Sequence, residues 1–228
     1  MRMGMKYGRR GATAAVGLLL CFWAGACGGV GPGTSTSTTS VGASADGLWT
    51  VTPTLLGSVL SNNSNAIAVG DASPNNWAVG YVRFSTTAVL AALPPGAVIT
   101  NATLVITKIN VYGSPFTTIG ADHRIHIDHA LFSTPSVVDA DWSTLAPGGL
   151  DIGLLIGGTD DAVVQTFSVD VTAAFLDDLA AARANSDYKL RFPTSTNGNG
   201  VSDFARFNDS EGNEGIPNKP MLAVTHSP

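Results

Sequence analysis

From residue 54 onward, apolar and polar residues alternate in short bursts separated by turn-forming clusters, and this period of two limits what the chain can fold into. Side chains on a strand point alternately to opposite faces, so such bursts read as strands with one buried face. The bursts are TLLGSVL (54–60), AIAVG (66–70), WAVGYVRF (77–84), ATLVITKINVY (102–112), HRIHIDHALF (123–132), LDIGLLIG (150–157), VVQTFSVDV (163–171), DYKLRFP (187–193), DFARF (203–207) and MLAVTH (221–226). Breakers stand between them: Leu93-Pro94-Pro95-Gly96, Ala146-Pro147-Gly148-Gly149 and Asn197-Gly198-Asn199-Gly200. Only VDVTAAFLDDLAAARANSD reads as helical. There Phe175, Leu176 and Leu179 share a face, Asp170 or Thr172 caps the start and Asn185 ends it. The absence of strand–helix alternation argues against a parallel sheet. The expected fold is all-β, a jelly-roll-like antiparallel β-sandwich with one short helix.

The N-terminus has a different character. Arg2, Lys6, Arg9 and Arg10 precede an apolar run from Ala14 to Ala26, which is too short to span a bilayer and has the form of a secretory signal. Ala24-Gly25-Ala26 before Cys27 resembles the bacterial lipobox, whose cysteine carries lipid; it also suits ordinary signal peptidase, which would leave a secreted protein with an unpaired thiol. Of two cysteines, Cys21 lies within the signal, so Cys27 alone would remain, and lipidation accounts for an otherwise solitary exported thiol. The stretch GGVGPGTSTSTTSVGASADG that follows has the composition of a flexible tether. The expected organisation is a signal over residues 1–26, a tether over 27–47 and a sandwich over 48–228, held at the outer membrane or cell surface through Cys27. Removing the signal would take away four of twelve basic residues and none of the seventeen acids, giving a net charge of −9. A nucleic-acid partner, which requires a basic face, is excluded on that balance.

Three of the four histidines lie in HRIHIDH (123–129). As a strand, this segment sends His123, Ile125, Ile127 and His129 to one face and Arg124, His126 and Asp128 to the other. His123 and His129 then stand about 20 Å apart along the strand. That is too far to share an ion bound through bonds of about 2 Å. A helix would group them, but the alternating β-branched Ile125 and Ile127 favour the strand. No phosphate loop, HExxH, CxxC or GxSxG motif occurs, and the expected protein is not an enzyme. The loop from Phe207 to Gly215 concentrates oxygen donors, including Asp209, Glu211 and Glu214, of the kind calcium prefers. The competing reading is a solvated turn, with Asp209 and Glu211 capping backbone N–H groups.

The segment GYVRFSTTAVLAALPPGAVITNATLVITKI (80–109) resembles the opening half of DNRLRE domains and of carbohydrate-binding module family 96, which reads approximately YLRFDLSSLPAGATITSATL. Further along, Asp139-Ala140-Asp141-Trp142, FSVDVTAAFLDDL (167–179) and FNDSEGNEGIPNKPMLAVTH (207–226) are similar to that family's later motifs, in the same order. Tyr81, Arg83 and Phe84 match its YLRF signature; Ser210-Glu211 and Pro220 match its closing motif. The resemblance implies a surface or secreted β-sandwich of bacteria, some members binding polysaccharides, acidic ones included, and others serving as adhesive or stalk modules. A binding module needs an exposed aromatic or an Arg/Asn-lined groove. The candidates for such a groove are Trp77, Tyr81, Trp142, Lys189 and Arg191, if they converge on one concave face.

Overall fold

A computed structural model describes residues 35–52, 57–61, 66–73, 75–119, 122, 124–134, 136–155, 160–161, 163–210 and 219–228. The strands are Ser37–Gly42 (β1), Ala45–Thr52 (β2), Gly57–Ser61 (β3), Ile67–Ala72 (β4), Asn76–Ser85 (β5), Val98–Tyr112 (β6), Ile125–Ala130 (β7), Gly153–Leu155 (β8), Gln165–Asp170 (β9), Asn185–Arg191 (β10), Asp203–Phe207 (β11) and Met221–Ser227 (β12). They pair throughout as antiparallel neighbours in the order β1-β12-β6-β11-β4-β5-β10-β7-β8. In addition β9 lies on β6, β2 on β5 and β3 on β2. The sheet curls, so that β1, β12, β6 and β9 form one layer and β3, β2, β5, β10, β7 and β8 the other, with β11 and β4 passing between them.

Between the layers lies the main core. Leu104, Ile106, Phe167, Val169, Leu222 and Val224 from the first layer meet Val82, Phe84, Ile125, Ile127, Tyr188 and Leu190 from the second. The alternation expected from sequence is what places them there. On β5, Val82 and Phe84 face this core with Gly80, where a Cβ would lie 2.5 Å from Ile67 Cγ2. Each of the ten expected strands is present, and the all-β sandwich with a short helix is the observed fold.

Three differences have physical causes. First, β1 and the start of β2 lie within the segment expected to be a tether, so ordered structure begins before residue 48. Ser37–Gly42 is polar because β1 is an edge strand with one neighbour, pairing from Ser37↔His226 to Gly42↔Met221; edge strands tolerate a solvated face. Second, two helices join the expected one: Thr86–Ala92 (α1), capped by Ser85 accepting from Ala88 N at 3.2 Å, and Pro115–Thr118 (α2). Third, the expected helix is Thr172–Ala180 (α3), shorter than the apolar pattern suggests. It buries Phe175 and leaves Leu176 exposed, and Asn185 opens β10 instead of ending the helix. Asp170 does serve its start, accepting from Thr172 N at 2.9 Å and from the Thr172 hydroxyl at 2.5 Å. These bonds to Thr172, the hydroxyl's foremost, hold the Asp170 carboxyl below its ordinary range. No helix among the described residues is long and apolar enough to cross a membrane.

Candidate functional site

The register brings the sequence-selected residues of β5 and β10 together, on the side of the second layer away from the main core. Tyr81 stands opposite Lys189, Lys189 opposite Asp128, and Arg191 opposite His126. This face is covered, however. Phe132 and Val137, from the segment after β7, pack with Val79, Tyr81 and Ala130 into a second, smaller core against which Trp77 lies half-buried. Tyr81 is 1% exposed and Lys189 5%. Tyr81 meets Phe132 edge-on at 5.7 Å between ring centroids. The expected groove is therefore corrected to an interior. Trp142 belongs to the 3-10 turn Asp139–Ser143 in the same covering segment; its side chain lies outside the described residues.

Charge holds the cover in place. Arg83, 3% exposed, grips Asp187 through Nε at 2.7 Å and Nη2 at 3.0 Å, lies over the Phe132 ring and donates to the Ser133 carbonyl. Asp187 also accepts from Phe132 N, while buried Asp141 accepts from Ser133 N, the Ser133 hydroxyl and Val138 N. Burial pushes the Asp187 carboxyl above its ordinary range against the opposing pull of Arg83. Nearer the rim, Arg191 donates to Asp128 at 2.7 Å and to Asp151 at 2.6 Å. His126 lies 2.6 Å from Asp151 and 2.8 Å from Asp122. Burial would lower Arg191, but its bonds to Asp128 and Asp151 outweigh that and hold it above the ordinary value. Arg191 is therefore committed to internal carboxylates.

HRIHIDH is a strand over Ile125–Ala130, and the split between faces is the expected one: His126 points outward into the Arg191 cluster, while His129 points inward. His123 lies outside the described residues. His129 Nε2 is 2.8 Å from Asp178 Oδ1 of α3. Asp177 completes a His129–Asp177–Asp178 group with donor atoms within 4.8 Å of one another. Arg183 already bonds both carboxylates at 2.7 Å and supplies positive charge there. A cleft of about 690 Å³ beside it is lined by His129, Asp170, Thr172, Asp177 and Leu176 among others. Its size suits a small ligand (about 300–1,000 Å³), but among the described residues no Phe, Tyr or Trp lines it.

The calcium candidates divide. Glu211 and Glu214 lie outside the described residues. Asp209 and its neighbour Asn208 are fully buried, which corrects the expectation of a solvated turn at the start of this loop. Asn208 N bonds the Thr107 carbonyl, and Ser210 N bonds Asp46, so the chain leaving β11 is drawn into the sandwich.

Sequence reading missed the strip where β6, β11 and β4 run side by side. Tyr112 and Phe204 are cross-strand partners and stack with centroids 4.7 Å apart at 27°. Tyr112 is 43% exposed and Phe204 partly so. In the next outward-facing register Asn110 pairs with Arg206. On β4 the neighbours are small, Gly70 beside Phe204 and Ala68 beside Arg206. Gly70 has φ +139°, and a Cβ there would lie 2.4 Å from the Asp203 carbonyl and 2.7 Å from Phe204 Cα, so only glycine admits the close approach of the β11 backbone. The result is a shallow strip with an aromatic end and an Asn/Arg end. Exposed, rigid and amphipathic rings beside such donors can stack on a flat ligand and bond its hydroxyls. No protein-family model matches the chain, and no curated protein matches it.

Proposed function

We propose that the chain is a non-catalytic β-sandwich displayed on a bacterial surface, and that it binds polysaccharide across Tyr112 and Phe204, with Asn110 and Arg206 alongside. The observation that carries this reading is the exposed, stacked aromatic pair flanked by Gly70 and Ala68. The ligand class comes from the resemblance to carbohydrate-binding module family 96. By analogy with base stacking, each sugar ring on an aromatic contributes on the order of 1–3 kcal/mol. One or two rings then give millimolar to high-micromolar affinity, and many copies anchored through Cys27 supply retention by multivalency. Affinity electrophoresis in gels cast with neutral and acidic polysaccharides tests this. The wild type is expected to be retarded in at least one gel and Tyr112→Ala to run free there, with folding checked by circular dichroism.

A second reading, a structural or adhesive module without a sugar ligand, is favoured by the internal pairing of Arg83 and Arg191, whose charges serve the fold. Unretarded wild type in every gel would decide for it. Display itself has a separate check: membrane-extracted protein should have a mature N-terminus at Cys27 and an intact mass that includes acyl chains. A mature chain without them would leave a secreted protein.

A further inference from the structure

Asp71 on β4 and Asp203 on β11 face each other as cross-strand partners, one residue beyond the Gly70–Phe204 pair. Asp71 is fully buried and Asp203 is 4% exposed. Neither forms an ion pair among the described residues, unlike the buried Asp128, Asp178 and Asp187. Asn197 joins the two, its backbone N–H donating to Asp71 Oδ2 at 3.2 Å and its side-chain amide to Asp203 Oδ2 at 2.6 Å. The Thr196 hydroxyl also donates to Asp71 Oδ2, and Ser114 N donates to Asp203 Oδ1 at 2.7 Å. Among the described residues Asp71 Oδ1 has no hydrogen-bond partner. Two buried carboxylates with no cation and one oxygen left bare are costly as anions, and such groups are ordinarily paired or bound to metal.

The groups around them are oxygen-rich. Thr196 turns its hydroxyl to Asp71, Asn197 and Asn199 turn amide N–H groups to Asp203, Asn75 Oδ1 lies behind Thr196, and among the described residues no histidine or cysteine takes part in the bonding. Carboxylate and hydroxyl oxygens without imidazole or thiolate ligands suit a hard divalent cation, and the adaptable coordination of calcium suits a loop better than the strict octahedron of magnesium. We propose that Asp71 and Asp203, beneath the 196–202 loop, form a calcium site with Asp71 Oδ1 as its open ligand. This site is separate from the 207–215 loop and does not rest on the sugar reading. With two carboxylates, its dissociation constant falls in the range of extracellular modules, about 10⁻⁴–10⁻³ M.

The test is thermal unfolding of the full chain in millimolar calcium, in chelator and in matched sodium chloride. Wild type is expected to melt several degrees higher with calcium alone. Asp71→Asn, which removes a buried charge but keeps the shape, is expected to lose the calcium response and to melt no lower than wild type in chelator; Asp209→Asn should keep the response. A second measurement needs no carboxylate variant. Trp77 is the cross-strand partner of Asp71 on β5, so terbium at this site should emit when tryptophan is excited, calcium should quench the emission, and Trp77→Phe should weaken it. Absence of both a calcium shift and terbium emission would overturn the proposal, as would a calcium shift that survives in Asp71→Asn.

Discussion

Replacing Arg83 with Met is expected to destabilise the protein by about 3–5 kcal/mol, because it strands the Asp187 carboxylate in a site where both partners are nearly inaccessible. The loss should exceed the intrinsic worth of the pair. Asp187 also holds Phe132 N, and Arg83 holds the Ser133 carbonyl, so the single variant loosens the cover over the second core as well. A double variant, Arg83→Met with Asp187→Leu, removes both charges and should recover a large part of the loss. Urea unfolding of the wild type, both single variants and the double variant closes the cycle. Equal losses in the Arg83 single variant and the double variant would show that packing of the methylene stem, not the stranded charge, governs the effect.

Lys189 gives stability an unusual dependence on alkaline pH. Burial lowers its pKa from 10.5 to about 8, against the opposing pull of Asp128. Between those values the unfolded chain binds a proton that the folded chain does not, so stability rises as pH rises from about 8 towards 10. The full shift corresponds to about 3 kcal/mol. Tyr188 acts in the opposite sense: burial raises its phenol above the ordinary value of 10.0, so the folded state keeps a proton that the unfolded state releases, and stability falls above about pH 10. Unfolding free energy should therefore pass through a maximum near pH 10. Lys189→Met should abolish the rise, leave the fall and be more stable than wild type at pH 7. A wild-type profile that is flat between pH 8 and 10 would contradict this.

The strands were legible wherever one face is buried in the main core, because Leu104, Ile106, Ile125, Ile127, Val82 and Phe84 impose a period of two on the sequence. β1 was not, since an exposed edge strand imposes no apolar pattern, and Ser37–Gly42 has the composition of a linker. The candidate site was harder to see. Alternation grouped Tyr81 with Arg83 and Lys189 with Arg191 on their own strands, but could not show that the two strands pair, nor that Phe132 and Val137 fold back over the face they share. Tyr112 ends one legible strand and Phe204 lies near the start of another, yet the stack arises from β6–β11 pairing between distant parts of the chain. The Asp71–Asp203 pair was hidden for the same reason, each residue alone resembling an ordinary polar strand end.

The two-storey construction of the β5–β10–β7 face also sets how the molecule opens. The covering segment buries few of its apolar side chains, leaving Leu131, Val138 and Leu145 exposed, and is fastened largely by Asp141, Asp187 and Arg83, whereas the amides of β5 and β10 are tied into neighbouring strands on both edges. Low contact density over a fully paired sheet defines a unit that can detach before the rest unfolds. In amide hydrogen exchange, residues 133–144 therefore form a faster-exchanging tier, and the central strands beneath exchange only when the whole sandwich comes apart. A protease that cuts near Leu145 would reach its bond through the first opening, without waiting for the second.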